Sequence, residues 1–371
     1  MKVLRNISRI IVGVVFLFSG LVKGIDPIGT KIKFTDYFTA FGMEQLEPIA
    51  LVLAILLIGF EFLLGAALVA NFKLKITSWI TLIFMGTFTI LTLYLALENP
   101  VSDCGCFGDA VVMTNWETFW KNVIITGLSA IIFIYRKHFV EVPKPQIQYS
   151  ILSIALVFLV AVMFYGYNHL PILDFRPYKT GTNIPESMEI PEDAPQPKYE
   201  TILKYEKDGE IKEFTMDSLP DSTWSWVETK NILVEEGYQP PIQDFSINTR
   251  EGSDITDIIL EKDEPVFLLV APNLSEASRK NRETIHELAK MTINKYGQES
   301  FICLTASTES DIEKFKAKTQ APYDFYNTDE TTLKTIIRSN PGLMLIKKGT
   351  IIDKWHYNDI PDPQKVKEKF F

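Results

Sequence analysis

Apolar residues fall in five long runs along the first part of the chain and in short, spaced runs along the rest. A bilayer core takes about 20 apolar residues of helix. The runs at 10–22, 48–70, 76–97, 119–135 and 151–167 meet that length once their flanks are counted. The first is short between Arg9 and Lys23, whose long side chains can snorkel to the membrane surface. A cleaved signal peptide is the rival reading of residues 1–22. No small-x-small cleavage pattern precedes Lys23, so a retained first helix is expected. Residues 26–46 carry Ile28, Ile32, Phe38 and Phe41 in a loose helical stripe behind a start signal at Asp26-Pro27. They predict either an amphipathic helix lying on the outer surface or an ordinary packed loop.

The pattern changes after the fifth run. Residues 179–198 mix prolines with acidic and small polar residues and show no apolar period, which predicts an extended tether. Residues 199–236 read as extra β-structure plus a helix of their own. Continuous apolar stretches at 265–271 and 301–306 predict buried strands. Between them, residues 275–296 place Ile285, Leu288, Ala289 and Ile293 at helical spacing. Residues 311–319 and 333–338 predict further helices, and 342–347 with 350–355 a terminal hairpin about Lys348-Gly349, followed by a last helix. The predicted organisation is a four-helix membrane bundle (1–140), a fifth membrane helix (150–170), a proline-rich acidic linker (171–199) and a soluble α/β domain (200–371).

Charge supplies an orientation. One set of loop ends carries Lys2, Arg5, Arg9, Lys73, Lys75, Arg136, Lys137 and Lys144. The other carries Lys23, Lys31, Lys33 and Lys121, diluted by acidic residues. Loops rich in Lys and Arg stay cytoplasmic, so the amino terminus is expected inside a bacterial inner membrane. The 98–118 loop and the C-terminal domain are then periplasmic. Residues 1–150 carry a net charge of +2 and residues 151–371 a net of −11, giving −9 overall. An acidic domain outside a near-neutral membrane domain has membrane lipid and outer-face proteins as expected partners. Without a basic stripe and interleaved aromatics, nucleic acid is not among them.

Two charges fall within the apolar runs. Glu61 lies 13 residues below Pro48, and Arg9 lies 13 residues below Val22. At 1.5 Å per residue both sit about 20 Å from the outer surface, and an intramembrane Arg9–Glu61 ion pair is expected. The alternative keeps Arg9 as a headgroup anchor and Glu61 in a water defect.

The 98–118 loop contains Cys104 and Cys106, separated by Gly105 and followed by Phe107-Gly108. A Cys-x-Cys disulfide closes a very small ring, and a strained, exposed disulfide is the exchange-competent kind. On the oxidising side of a membrane, that suits a redox pair passing oxidising equivalents to a substrate thiol, its electrons leaving to a membrane quinone. Against it, no lysine or histidine is close in sequence, and Asp103 and Asp109 raise a thiol pKa unless the fold supplies positive charge. The competing reading is a tight turn with inert cysteines. The four histidines (138, 169, 286 and 356) are scattered, and no metal site is expected.

These motifs resemble a known family. Residues 9–23 (RIIVGVVFLFSGLVK) with Asp26-Pro27 resemble the opening of DoxX-like and MauE-like membrane proteins. Residues 59–65 (GFEFLLG) are similar to the Glu-x-x-x-Gly of their second helix, and 104–108 (CGCFG) to the MauE cysteine motif. The resemblance covers about residues 1–140. It implies a four-helix bundle related in outline to vitamin K epoxide reductase-like thiol–quinone enzymes, with no covalently bound cofactor. MauE is associated with maturation of a disulfide-rich dehydrogenase subunit.

The C-terminal order resembles a thioredoxin-like domain of the TlpA-like and peroxiredoxin-like branch over residues 240–368. Residues 241–247 (PIQDFSI) look like its opening strand and 340–349 (NPGLMLIKKG) like its cis-proline strand and hairpin, implying a cis Asn340–Pro341 bond. Where that family carries its redox cysteines, this chain has Ser275 and Ser278. Hydroxyls form no disulfide, and Cys303 lies inside an apolar strand, where a buried inert thiol is expected. The domain is expected to be redox-dead, a degenerate site with Pro341 retained for binding an extended peptide. Two functions remain open: a membrane thiol/disulfide redox or maturation factor, or a non-catalytic scaffold subunit of a membrane protein complex. Loss of function in Cys104→Ser and Cys106→Ser separates them.

Overall fold

The computed structural model describes residues 2–139, 145–207, 209–235 and 237–371; Lys144, counted above among the basic flanks, lies outside them. The N-terminal part is helical: α1 (Lys2–Ile25), α2 (Pro27–Ala40), α3 (Ala50–Val69), α4 (Leu74–Glu98), α5 (Asn115–Ile134) and α6 (Pro145–Asn168). Among the described residues, five helical segments are long and apolar enough to cross a bilayer: α1, α3 with its preceding turn, α4, α5 and α6. Large side chains such as Ile90, Leu97 and Phe164 point outward and exposed, as a lipid-facing surface requires. The 26–46 segment resolves as the helix α2. Asp26 caps it, its carboxylate accepting from the Gly29 N–H at 2.8 Å, with Pro27 in the first turn.

Small residues set the packing of α1 on α3. A Cβ on Gly20 would lie 2.7 Å from the Phe62 backbone nitrogen, and one on Gly65 2.6 Å from that of Leu17. Lipid gives no hydrophobic drive for helices to associate, so close backbone approach and polar contacts hold them. Across α4 and α5 the glue is polar: the Thr89 and Thr126 hydroxyls lie 2.7 Å apart, and Asn122 donates to Thr92 at 3.2 Å.

The rest of the chain runs α7 (Ile184–Met188), β1 (Lys198–Lys207), β2 (Glu210–Thr215), β3 (Ser225–Glu235), α8 (Thr256–Leu260), β4 (Val266–Val270) and α9 (Arg282–Tyr296). It continues with β5 (Phe301–Thr305), α10 (Glu309–Thr319), β6 (Asp324–Asn327), α11 (Glu330–Ile336), β7 (Gly342–Lys347), β8 (Thr350–His356) and α12 (Pro363–Phe370). A small antiparallel sheet has the order β2-β1-β3. The larger sheet has the order β6-β5-β4-β7-β8, with β6, β5 and β4 parallel and β7 and β8 antiparallel. Both faces of this sheet are covered. Leu268, Val270 and Met344 pack with α11 on one face; Phe267, Leu269 and Leu345 pack with α9 on the other. Strands buried on both faces read as unbroken apolar runs, which is why 265–271 and 301–306 were legible.

Three expectations are corrected and one element was missed. The 179–198 segment is no free tether: Ile184 is fully buried in the sheet domain, and Gly181 and Thr182 exchange backbone hydrogen bonds with Ile351. The predicted strand at 241–247 is irregular chain, anchored instead by buried Ile242, Phe245 and Ile247. No helix forms among the described residues of 199–236. The edge strand β6 had no sequence signal, since its residues alternate too briefly.

Candidate functional site

The cysteine loop is held from both ends. Asn99 ends α4 in a left-handed conformation, and the Asn115 side chain at the head of α5 donates to Asn99 Oδ1 at 2.7 Å and to the Val101 carbonyl at 2.8 Å. A capping box joins Thr114 and Glu117. Between these anchors Gly105 takes φ +65°, a conformation a side chain resists, and its N–H donates to Asp103 at 2.8 Å. Lys33 from α2 holds Asp103 at 2.6 Å, and the Tyr37 hydroxyl donates to the Cys104 carbonyl at 3.0 Å. The turn brings the two sulfurs to 3.1 Å, both as free thiols. A disulfide bond is about 2.05 Å, so closure requires about 1 Å of movement.

Below the loop lies a buried polar cluster that corrects the expected pairing of Glu61 with Arg9. Lys23 contacts both Glu61 carboxylate oxygens at 2.8 Å, with both side chains almost wholly buried. Ser19, one turn before Lys23 on the same face of α1, lies 2.8 Å from Glu61 Oε2 and 2.7 Å from the Cys106 carbonyl. Arg9 instead donates to the Val69 carbonyl at the end of α3, where a helix leaves acceptors free. Counting depth along each run paired the charges by height but ignored the face of the helix. Ser19 and Lys23 at i and i+4 were the available signal.

These groups border a cavity of about 270 Å³ among α1–α5. Its walls are aromatic and aliphatic, including Phe34, Tyr37, Phe84, Phe88 and Phe107, and its polar end is formed by Cys104, Cys106, Lys23, Lys33, Glu61 and Lys121. Lys121, on α5, sits 4.4 Å from the centroid of the Phe107 ring. The positive charge missing from the local sequence is thus supplied by distant helices. The sulfur–sulfur contact with Cys104 pulls the Cys106 thiol down against its burial, with help from Lys121 and Lys23. That same contact and burial push Cys104 up. Of two thiols one residue apart, one is set up to ionise.

The sheet domain sits over this loop. Arg338 bridges Asp26 and Asp109 at 2.8 Å each and also donates to the Lys334 carbonyl, and it is 8% exposed. Nearby, Asp174 accepts from Arg176 and Lys354, tying the stretch after α6 to β8. Arg338 went unread in the sequence because nothing local marks an arginine in a loop as a bridge. The Asn340–Pro341 bond beside it is cis. Ser275 and Ser278 lie on the turn before α9: Ser275 donates to Asn273 at 2.7 Å, and the Ser278 N–H donates to the Asn340 carbonyl at 2.8 Å. Cys303 is fully buried in β5, which raises its thiol pKa. The structure therefore places Ser278 beside Pro341 and Cys104 beside Cys106, and separates Arg9 from Glu61.

The molecule is a membrane protein with five long apolar helices among its described residues, a thiol pair bordering a cavity in its helical part, and a mixed α/β domain towards its C-terminal end. Residues 1–135 match the family model described as methylamine utilisation protein MauE, so the membrane domain is similar to that family. Residues 199–236, the small three-stranded sheet, match a domain of unknown function (DUF8463). No curated protein matches the chain.

Proposed function

We propose that the protein is an inner-membrane thiol/disulfide redox or maturation factor working through Cys104 and Cys106. One observation carries this reading: two free sulfurs 3.1 Å apart at the polar end of an aromatic-walled cavity within helices long enough to span a bilayer. In the oxidised protein, a substrate dithiol is converted to a disulfide while the Cys104–Cys106 disulfide becomes two thiols. Two electrons and two protons then pass from those thiols to a membrane quinone, which leaves as the quinol. An apolar, aromatic-lined cavity suits a lipid-soluble ring. The reduced full-length protein, mixed with a short-chain quinone in detergent, is expected to lose two thiols per quinol formed. Cys104→Ser and Cys106→Ser should abolish the reaction; quinone left unreduced by the wild-type protein defeats the reading.

The C-terminal domain is read as thioredoxin-like, from its strand order and cis-Pro341, and as a binding module presenting the partner. Ser275 and Ser278 leave it without a redox pair. Arg338 stands three residues before Pro341, and Asp109 three after Cys106, so a chain reach of about 3.5 Å per residue keeps the two sites within about 30 Å. The same serines favour a second reading, a scaffold subunit in which the domain only binds partner proteins; harmless cysteine substitutions in cells would establish it. The orientation is N-terminus inside, sheet domain periplasmic. Ile190, exposed in the segment between α7 and β1, tests this. An Ile190→Cys variant should react with an impermeant maleimide in intact spheroplasts, and protection reverses the topology.

A further inference from the structure

The cavity holds three ammonium groups, and two of them have carboxylates. Lys23 is neutralised by Glu61 at 2.8 Å and Lys33 by Asp103 at 2.6 Å. Lys121 pairs with no carboxylate among the described residues; its ammonium rests on the face of the Phe107 ring, adjacent in sequence to Cys106. The groups facing the sulfurs are Lys23 from α1, Lys33 and Tyr37 from α2, Glu61 from α3, Lys121 from α5, and Asp103 in the loop itself. Asp109, the remaining carboxylate of the loop, is taken by Arg338. With both ion pairs counted as neutral, the polar end of the cavity carries one uncompensated positive charge. Lys121 is only partly buried, so its charge keeps some contact with water, but an anion beside it is still favoured. One thiolate cancels it; two would overshoot.

The sulfur contact decides how that single negative charge is held. At 3.1 Å an S–H on one cysteine can donate to S⁻ on the other, so a shared proton fits the geometry and two protons do not improve it. Lys121 stands beside Phe107, on the Cys106 side of the turn, whereas the residue before Cys104 is Asp103, already paired with Lys33, and the Tyr37 hydroxyl donates to the Cys104 carbonyl.

Resting on the paired-thiol reading of this site, we propose that the reduced pair is a monoanion. Cys106 is the thiolate, Cys104 the thiol that hydrogen-bonds to it, and Lys121 the counter-ion. Lys121 is thus a positioning residue that acts through Cys106. The assignment orders the exchange. A substrate thiolate attacks Cys104 Sγ, and the Sγ–Sγ bond breaks with its electron pair kept on Cys106, the better leaving group because its thiolate is stabilised. The substrate's second thiol then attacks its own sulfur in the mixed disulfide, its proton passing to the departing Cys104 sulfur.

Two measurements on the reduced full-length protein in detergent test the assignment without quinone or substrate, so their failure is distinct from failure of the redox function. Ultraviolet thiolate absorbance, titrated against pH with a Cys104→Ser/Cys106→Ser blank, counts the anions. Iodoacetamide alkylation against pH, read by mass spectrometry, says which cysteine carries them. One thiolate is expected with a midpoint below that of an ordinary thiol, and Cys106 should take the label first. Lys121→Met should move that midpoint upward and slow Cys106 labelling below it by about tenfold, and Lys121→Arg should restore both. No thiolate signal between pH 5 and 8, first labelling of Cys104, or an unchanged midpoint in Lys121→Met overturns the proposal.

Discussion

Lys23 and Glu61 meet in the bundle with both side chains almost wholly buried, and the Ser19 hydroxyl ties the pair to the cysteine loop. Removing one partner leaves the other charge buried alone, a loss of about 3–5 kcal/mol, whereas replacing both by apolar groups is often close to neutral. Thermal unfolding of Glu61→Leu, Lys23→Met and the double variant Lys23→Met/Glu61→Leu should show each single change costing more than the double. Simple additivity would remove the pair from the account. Arg9→Gln is expected to be milder than either single change, because Arg9 meets only backbone carbonyls at the end of α3. At this scale the sequence showed that buried charges existed. It did not show which pairs they formed, because partner choice depends on the rotation of α1 about its axis.

At the scale of elements, β8 carries a pH-sensitive group. His356 is 3% exposed, and burial holds its pKa down, to about 4, against the pull of Asp359; His169 and Lys280 lower it further. Its Nδ1 accepts from the Asn358 N–H at 3.2 Å, which requires that nitrogen to be unprotonated. A histidine depressed in the folded state contributes stability above its unfolded value near 6.5. That contribution is lost as pH falls from 6.5 toward 4 and amounts to about 3 kcal/mol at full protonation. The unfolding midpoint in denaturant should therefore drop across this window in the wild-type chain and vary less in His356→Gln. Equal slopes for the two proteins would assign the acid sensitivity elsewhere. The helices and central strands were legible because their apolar periods are long or unbroken. The strand β6 and the irregular 241–247 stretch were not: four residues carry too little pattern, and the 241–247 strand was expected from a family resemblance, whereas the buried Ile242, Phe245 and Ile247 do not alternate as a strand's residues do.

For the whole molecule, the contact of consequence is Arg338 between Asp26 and Asp109. It joins the loop before cis-Pro341 to the cap of α2 and to the end of the cysteine turn. Arg338→Gln leaves two carboxylates without their cation, and the sheet domain should loosen from the bundle. Hydrogen exchange is expected to rise together in residues 103–110 and 336–342, with Arg338→Lys intermediate because an ammonium lacks the planar fork that reaches both acids. Unchanged exchange in Arg338→Gln would show that the stretch after α6, through Asp174 and Lys354, holds the domains by itself.

Hydrophobic pattern alone determined the five apolar helices among the described residues and the helical and α/β halves, and the position of Cys104 and Cys106 placed the cysteine turn between two spans. Each of these is written in consecutive residues, because a span, a strand or a turn is a local property of the chain. Only the tertiary structure decided that Lys23 rather than Arg9 meets Glu61, that Lys121 and Lys23 lend positive charge to the cysteines, and that the supposed tether is packed through Ile184. The same holds for Arg338, which sits 229 residues from its partner Asp109. Those contacts depend on helix rotation and domain docking, and no short window of sequence contains either.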